Sequence, residues 1–510
     1  MKRQRLFALF GALLLLAGGC HQTIDPSLDL PLDIPVTPAE ETPAKTRGEK
    51  KEITLAYTPT DSMNPYQVTT ENNLYLMPLI FEGLFTLSPS FEAAPTLCES
   101  YENNDTVWNF QLKKGILFHN GDEMTARDVA ASIETARQNQ LYAERCRNIA
   151  SVSAKGSYAL QITLRQPDCL LPSILTMPVL PRGELNAKTP AGTGRFLIEA
   201  GDGTLRLAAN DRWQGGKSKI RSISLAALYG DSELAYLVGS GTMDAICFEK
   251  PFATSAPIRG TLDVATFSTA DFHYLAIRET SELLKDAALR KALSAGADRN
   301  QMVQKAFSGY ADFATLPIQP VLGSFGLEQK GAVSLLTEAG YTDTDGDGIV
   351  NAPSGKNVVL SLAVPADSAM KQQAATVLSQ SFLTSGISLK VIPVSGDYAA
   401  AVRSGSYDLY YGETLMNGRF DLTSLVAEGG EIRNGGRTST AVLTMQNALA
   451  SAQPNQIALR RTELYRVFSE DMPLIPLCFG RGCVVTGQGV MNKVTAAAGN
   501  PYYNLEDWAN

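Results

Sequence analysis

Hydrophobic and polar positions alternate along this chain with two periods, and the switch between them sets the plan of elements. Ile53, Leu55 and Tyr57 stand at period two, as in a strand with one buried face. Trp108, Phe110 and Leu112 repeat the pattern within 106–112, and Tyr158, Leu160, Ile162 and Leu164 within 157–164. Between these runs the period lengthens. Val129, Ile133 and Ala136 make an apolar stripe, and Thr125 with Asp128 three residues on reads as a helix cap. The same reasoning predicts helices near 282–307, 328–339, 368–385, 397–404 and 457–470. It predicts strands near 221–228, 243–248, 272–278, 357–364, 387–394, 407–411 and 474–478. Interleaved strands and helices over this length argue for α/β domains. No fixed-period repeat marks a solenoid.

The amino-terminal residues follow neither period. Lys2, Arg3 and Arg5 precede a weakly polar run of 14 residues, Leu6 to Gly19. A bilayer needs about 20 apolar residues, so this is the core of an export signal and not a span. The run ends in Leu16-Ala17-Gly18-Gly19-Cys20, which resembles a bacterial lipobox. Residues 1–19 are therefore read as a lipoprotein signal peptide and Cys20 as the lipidated new amino terminus; the alternative is an ordinary secretory signal with an incidental cysteine. Residues 21–50 hold five prolines and no aromatic residue, and with Cys20 they read as an extended tether. No later segment reaches 18 consecutive apolar residues, so the lipid is the only membrane contact expected. The body is expected on the extracellular or periplasmic face of the cell membrane.

Composition acts mainly by exclusion. The formal charge is −8, and without Lys2, Arg3 and Arg5 it becomes −11, with 41 Lys+Arg against 52 Asp+Glu. Such a chain is a poor nucleic-acid binder. Six cysteines besides Cys20 are too sparse for a disulfide scaffold. Cys478 and Cys483 suit either one local disulfide or two buried small side chains. His119 and His273 lack the companions of a zinc motif, and His21 lies in the tether. No serine sits in a nucleophile elbow. Gly215-Gly216-Lys217-Ser218 resembles the end of a phosphate loop, but Asp211 stands where the motif needs glycine. The chain is thus expected to be no enzyme and to carry no cofactor. Asp343, Asp345 and Asp347, followed by Gly348, have the spacing of a calcium loop, but Ser354 replaces its closing glutamate. The segment reads either as an Asp/Gly turn or as a weak calcium site.

One stretch carries more than composition. Residues 81–129 contain F-E-G-L-F, P-T-L-C-E-S-Y and T-V-W-N-F-Q-L-K-K-G-I-L-F-H-N-G-D-E-M-T-A-R-D-V. In order there follow A-G-T-G-R-F (191–196), N-D-R-W-Q-G-G-K (210–217), A-L-R-K-A-L-S-A-G-A-D-R (288–299), L-L-T-E-A-G-Y (335–341) and M-P-L-I-P-L (472–477). This resembles the extracytoplasmic solute-binding proteins, family 5, that serve peptide/nickel-type ABC importers. Gly115, Phe118 and Gly121 are read as scaffold between strand and helix.

The resemblance implies an α/β, two-lobed periplasmic-binding-protein-like fold, type II and cluster C-like, with an extra subdomain on lobe I. Lobe I would span 51–274 and 475–510, with its insertion at about 85–185, and lobe II 275–474. The crossovers would fall near Phe272–Arg278 and Pro473–Leu477. The implied function is capture of di- or oligopeptides between the lobes and delivery to the permease and ATPase subunits of an importer, by a monomer. Alternatives are another solute (a nickel chelate, haem or an oligosaccharide) or a surface interaction or chaperone protein without an importer. Asp421 is the implied partner of a peptide ammonium, Arg419 of a ligand carboxylate, and Asn434 a polar contact. On lobe I the resemblance points to Tyr57, Asn64, Glu82 and Phe85, with Trp213 as scaffold.

Overall fold

The computed structural model describes residues 51–201, 204–228, 238, 240–251, 262–323, 325, 330–405, 407–428, 437–489 and 493–508. Cys20, the tether and Asn434 lie outside these residues. Lobe I opens with β1 (Glu52–Tyr57). A hairpin of β2 (Phe85–Leu87) and β3 (Ala93–Pro95) leads to a four-stranded sheet of β4 (Cys98–Asn104), β5 (Val107–Leu112), β6 (Ile149–Ala154) and β7 (Ala159–Leu164). The chain then returns through β8 (Phe196–Gly201), β9 (Thr204–Ala209), β10 (Ser222–Ala227) and β11 (Ala245–Phe248). A long strand, β12 (Leu262–Ile277), passes into lobe II, which adds β13 (Ala311–Phe313), β14 (Val359–Pro365), β15 (Ser388–Val394) and β16 (Leu409–Leu415). β17 (Leu474–Gly487) leads back.

The two lobes share one sheet, ordered β15-β14-β16-β12-β17-β11-β1-β10-β9-β8, with β13 also on β17. β12 and β17 are antiparallel from Leu262↔Gly487 to Ala276↔Leu474, with register shifts between Ser268 and Phe272 and between His273 and Tyr274. Such irregularities bend and twist a shared ladder locally. Lobe I and the four-stranded sheet have a common core, including Trp108, which stacks on Phe110 at 5.8 Å. Lobe II packs a core on each face of its part of the sheet.

Local patterns explain most elements. Helix Ala126–Gln138 starts where predicted, and the Asp128 carboxylate accepts from the Thr125 amide and hydroxyl at 2.9 and 2.6 Å. The helix predicted over 282–307 is broken into Ala287–Gly296 and Arg299–Ala306. Asp298 caps the second piece, accepting from Gln301 N at 2.9 Å. Arg299 turns inward and donates to Pro476 O at 2.7 Å and Ala314 O at 2.8 Å, fixing the start of β17. Helix Glu71–Ile80 was not predicted: it is buried on most sides and contains Pro78, so it lacks an apolar stripe. Among the described residues, no helix is long and apolar enough to cross a membrane.

The cysteine alternatives resolve toward separate thiols. Cys478 and Cys483 are both buried and free, on the single extended strand β17. Five residues of strand separate them by roughly 16 Å, beyond the reach of a disulfide.

Candidate functional site

A cavity of about 590 Å³ opens between the lobes beside β12. Lobe I contributes Glu71, from the first turn of helix Glu71–Ile80, and Glu249 and Lys250, which follow β11. β12 supplies Thr269, Asp271 and Tyr274. Lobe II supplies Lys371, Tyr398 and the run from Tyr410 to Leu415 on β16. Gly412 is required there, because a Cβ would meet the Tyr274 ring at 2.3 Å.

Ion pairs organise the floor. Lys250 reaches from lobe I to Asp271 on β12 at 3.2 Å and to Glu413 on lobe II. Lys371 contacts the other Glu413 oxygen at 2.7 Å. Below them His273 is fully buried, with Nε2 at 3.3 Å from Asp271 and Nδ1 at 3.3 Å from the Tyr411 hydroxyl. Burial pushes the Glu413 carboxyl up, but His273 and the Lys250 and Lys371 ammoniums outweigh it and hold the group at about 2. Burial likewise opposes the charge of Lys250, and the Asp271 and Glu413 carboxylates push it up nonetheless. Donor atoms of Asp271, His273 and Glu413 lie within 4.8 Å of one another. Two ammonium groups already neutralise those carboxylates, so the cluster behaves as an ion-pair network that ties lobe I, β12 and lobe II.

The cavity also borders a strand edge. β14 pairs with β16 only at Leu362↔Leu409 and Ala363↔Tyr410. β12 covers the other side of β16 along its whole length, from Leu409 to Leu415. From Tyr411 to Leu415, no strand among the described residues is paired to that edge of β16, and this stretch lines the cavity. The Tyr398 hydroxyl donates to Tyr411 O at 3.1 Å. Leu415 is 68% exposed, unusual for a leucine inside a cleft wall.

Residues 92–425 match the family model of bacterial extracellular solute-binding proteins, family 5. The chain belongs to this family. It is thus a solute-binding protein of the peptide/nickel ABC-transport type and not an enzyme. The oligopeptide-binding protein AppA of Bacillus subtilis is 23% identical over 463 residues, 81% of this chain and 83% of that protein. The glutathione-binding protein GsiB of Salmonella choleraesuis is 24% identical over 307 residues, 55% of this chain and 60% of its own. Among solved structures, a nickel ABC transporter protein of Bacillus halodurans superposes with a TM-score of 0.73 at 21% identity, covering 89% of this chain and 98% of the other. AppA of Bacillus subtilis in complex with a nonapeptide gives 0.59 at 19% identity, covering 90% and 99%. The two-lobed fold expected from the sequence is the fold of this family.

Within this family 5 protein the residues singled out from sequence fall in several places. Asp421 and Arg419 line a separate cavity of about 390 Å³ between lobe II and the segment after β7. The Arg419 guanidinium lies between Asp168 and Asp421, contacting the first closely and the second at 3.4 Å. Cys169 N donates to Ala450 O at 2.7 Å beside it, and Phe91 meets Phe420 edge-on at 5.1 Å. This loop docks the lobes on one another, and Arg419 is engaged by protein carboxylates. Asn64 is fully buried: its amide donates to Leu185 O and Ala187 O at 3.0 and 2.7 Å, which uses both of its protons inside lobe I. Glu82 accepts from Trp213 Nε1 at 3.0 Å and Thr193 Oγ1 at 2.9 Å, and burial pushes its carboxyl up. Phe85 is core, edge-on to Tyr101 and Phe110. Tyr57 is half-buried at the end of β1, packed against the lobe I core. None of these lines the 590 Å³ cavity.

The Asp343 turn is closed on itself. Asp343 accepts from Gly346 N and Gly348 N at 2.7 and 2.9 Å, and Asp347 from Ile349 N at 2.7 Å. The three carboxylates converge, but they are engaged by their own backbone. His119 accepts from Gly192 N through Nδ1 at 3.2 Å and donates from Nε2 to Gly194 O at 3.0 Å.

Sequence reasoning passed over the residues of the central cavity. One signal was available: Asp271 and His273 stand two apart in the otherwise apolar run A-D-F-H-Y-L-A-I, so one face of a buried strand carries charge. Nothing local joins them to Lys250, Lys371 and Glu413, which come from three other elements.

Proposed function

We propose that this chain is an extracytoplasmic substrate-binding lipoprotein that captures di- or oligopeptides in the 590 Å³ cavity and hands them to the permease and ATPase of an ABC importer. The observation that carries the reading is the edge of β16 from Gly412 to Leu415, to which no described strand is paired. An extended peptide laid along it gains main-chain hydrogen bonds that do not depend on its sequence. Lobe I closes over the other side through Glu71, Glu249 and Lys250. A ligand touching both lobes stabilises the closed form, which a permease can distinguish from the open one. The relatives named for oligopeptide and glutathione binding support a peptide-like solute.

In this reading β12 and β17 are the crossovers between lobe I (51–274 with 475–510) and lobe II (275–474), and the insertion spans about 85–185. Cys20 holds the molecule at the outer face of the cell membrane, so that captured ligand stays near its importer. The test is native mass spectrometry of the purified protein with release and sequencing of bound molecules, followed by calorimetry. Peptides in the released fraction are the expected result; a released fraction without peptides overturns the reading. For the anchor, Cys20→Ala is expected to move the protein from the membrane to the soluble fraction.

A metal chelate is the second reading, favoured by the Asp271, His273 and Glu413 donors and by solved neighbours described with nickel. A nickel–histidine titration separates it from the first, since Lys250 and Lys371 already balance those carboxylates.

A further inference from the structure

The walls of the central cavity differ in charge balance. On the β12 and lobe II side, Asp271 and Glu413 face Lys250 and Lys371, two carboxylates against two ammoniums. On the lobe I side stand Glu71 and Glu249, and neither makes an ion pair among the described residues. Glu71 is exposed and accepts from the Tyr75 hydroxyl at 3.1 Å. It lies in the first turn of a ten-residue helix. Glu249 is half-buried and, among the described residues, accepts only from Gly499 N, at 3.3 Å.

On an open surface two such carboxylates would be solvated and unremarkable. Here they line the same cavity as the unpaired β16 edge, so an occupant that closes the cleft also takes water from them. Burial already pushes the Glu249 carboxyl up; the Gly499 amide and the Lys250 ammonium oppose this, and the charges of Glu71 and Asp271 add to it. A neutral or acidic occupant would deepen that penalty, whereas a cation placed between the lobes would relieve it.

We propose that the cavity selects peptides of net positive charge, bearing lysine or arginine side chains, and that Glu71 and Glu249 are the residues that read this charge. The inference rests on the peptide reading above and names the peptide class. Lys250 and Lys371 meanwhile keep Asp271 and Glu413 neutralised, so the excess of two carboxylates belongs to the lobe I wall. Electrostatic selection of this kind sets partner preference more than raw affinity.

The test offers the full-length protein the mixture of short peptides released by partial hydrolysis of casein, and the bound pool is read by native mass spectrometry. The expected result is enrichment of lysine- and arginine-containing peptides over the input by about tenfold, as for one partly solvated ion pair. The double variant Glu71→Gln, Glu249→Gln, with folding checked by thermal melting, is expected to bind a pool matching the input. A wild-type pool that matches the input or favours acidic peptides overturns the inference and leaves the peptide reading intact. Retained enrichment in the double variant also overturns it. If no peptide is bound, both readings fall. A third arm keeps the inference testable should the double variant not fold: Lys250→Met makes the cavity more negative and is expected to raise the enrichment, and an unchanged or smaller enrichment counts against it.

Discussion

Replacing Glu413 by glutamine is the sharpest perturbation of the network that ties the lobes. The substitution keeps the shape and the acceptor oxygen but removes the charge shared by Lys250 and Lys371. Its magnitude follows from the displaced carboxyl, held at about 2 against an ordinary 4.5. At roughly 1.4 kcal/mol per unit this displacement corresponds to about 3 kcal/mol. The side chain is 24% exposed to the cleft, and screening there reduces the figure to on the order of 2 kcal/mol. Because the folded value lies below the unfolded one, the stabilisation is fully present above 4.5 and is lost as the pH falls from there toward 2. Denaturant unfolding of wild type and Glu413→Gln, followed by circular dichroism at a series of pH values, measures the difference directly. The wild type is expected to exceed the variant by on the order of 2 kcal/mol near neutral pH, with the gap closing toward about pH 3. A gap that stays constant over that range would show that His273 and the two lysines do not hold the carboxylate in its charged form, and would refute the reasoning.

Arg299→Met removes the buried guanidinium that holds Pro476 O and Ala314 O, and is expected to cost about 3 kcal/mol in urea unfolding; a loss below about 1 kcal/mol would mean that water replaces it. Burial favours the neutral form of His119, so its support of Gly192 is complete above about pH 6.5 and is lost as falling pH protonates Nδ1 below that value; the Gly192 amide should lose protection beyond the intrinsic change before the protein unfolds in acid, and protection that persists until acid unfolding would contradict this. Asp421→Ala loosens the Arg419 contact without touching the central cavity, so calorimetry with a peptide ligand is expected to give affinity within about twofold of wild type, while a tenfold loss would return the ligand to that loop. Because the Asp343 turn is satisfied by its own backbone, millimolar calcium is expected to leave the melting temperature unchanged, and a clear upward shift would restore the calcium reading.

The period-two runs at 106–112 and 157–164 and the stripe behind Thr125 were legible because each is a local pattern whose burial follows from its own spacing. The order of motifs from Phe81 to Leu477 likewise identified the family and its two-lobed fold before any distance was known. By contrast, the extension of β12 to sixteen residues and β17 to fourteen depends on their pairing with each other, about 210 residues apart in the chain, which no local window contains.

The candidate site divides in the same way. Sequence similarity drew attention to Asp421 and Arg419 because they stand in a recognisable segment, yet tertiary packing places the guanidinium against Asp168, more than 250 positions earlier. The central cavity is made by Glu249 and Lys250 after one strand, Asp271 on a second, Lys371 on a helix and Glu413 on a third strand. Each is an ordinary charged residue in its own neighbourhood. Sequence alone determined what kind of elements this chain forms and to which family it belongs, since those follow from periodicity and motif order. Only the folded structure decided which charges meet, because a Coulomb interaction depends on distance in space and is indifferent to distance along the chain.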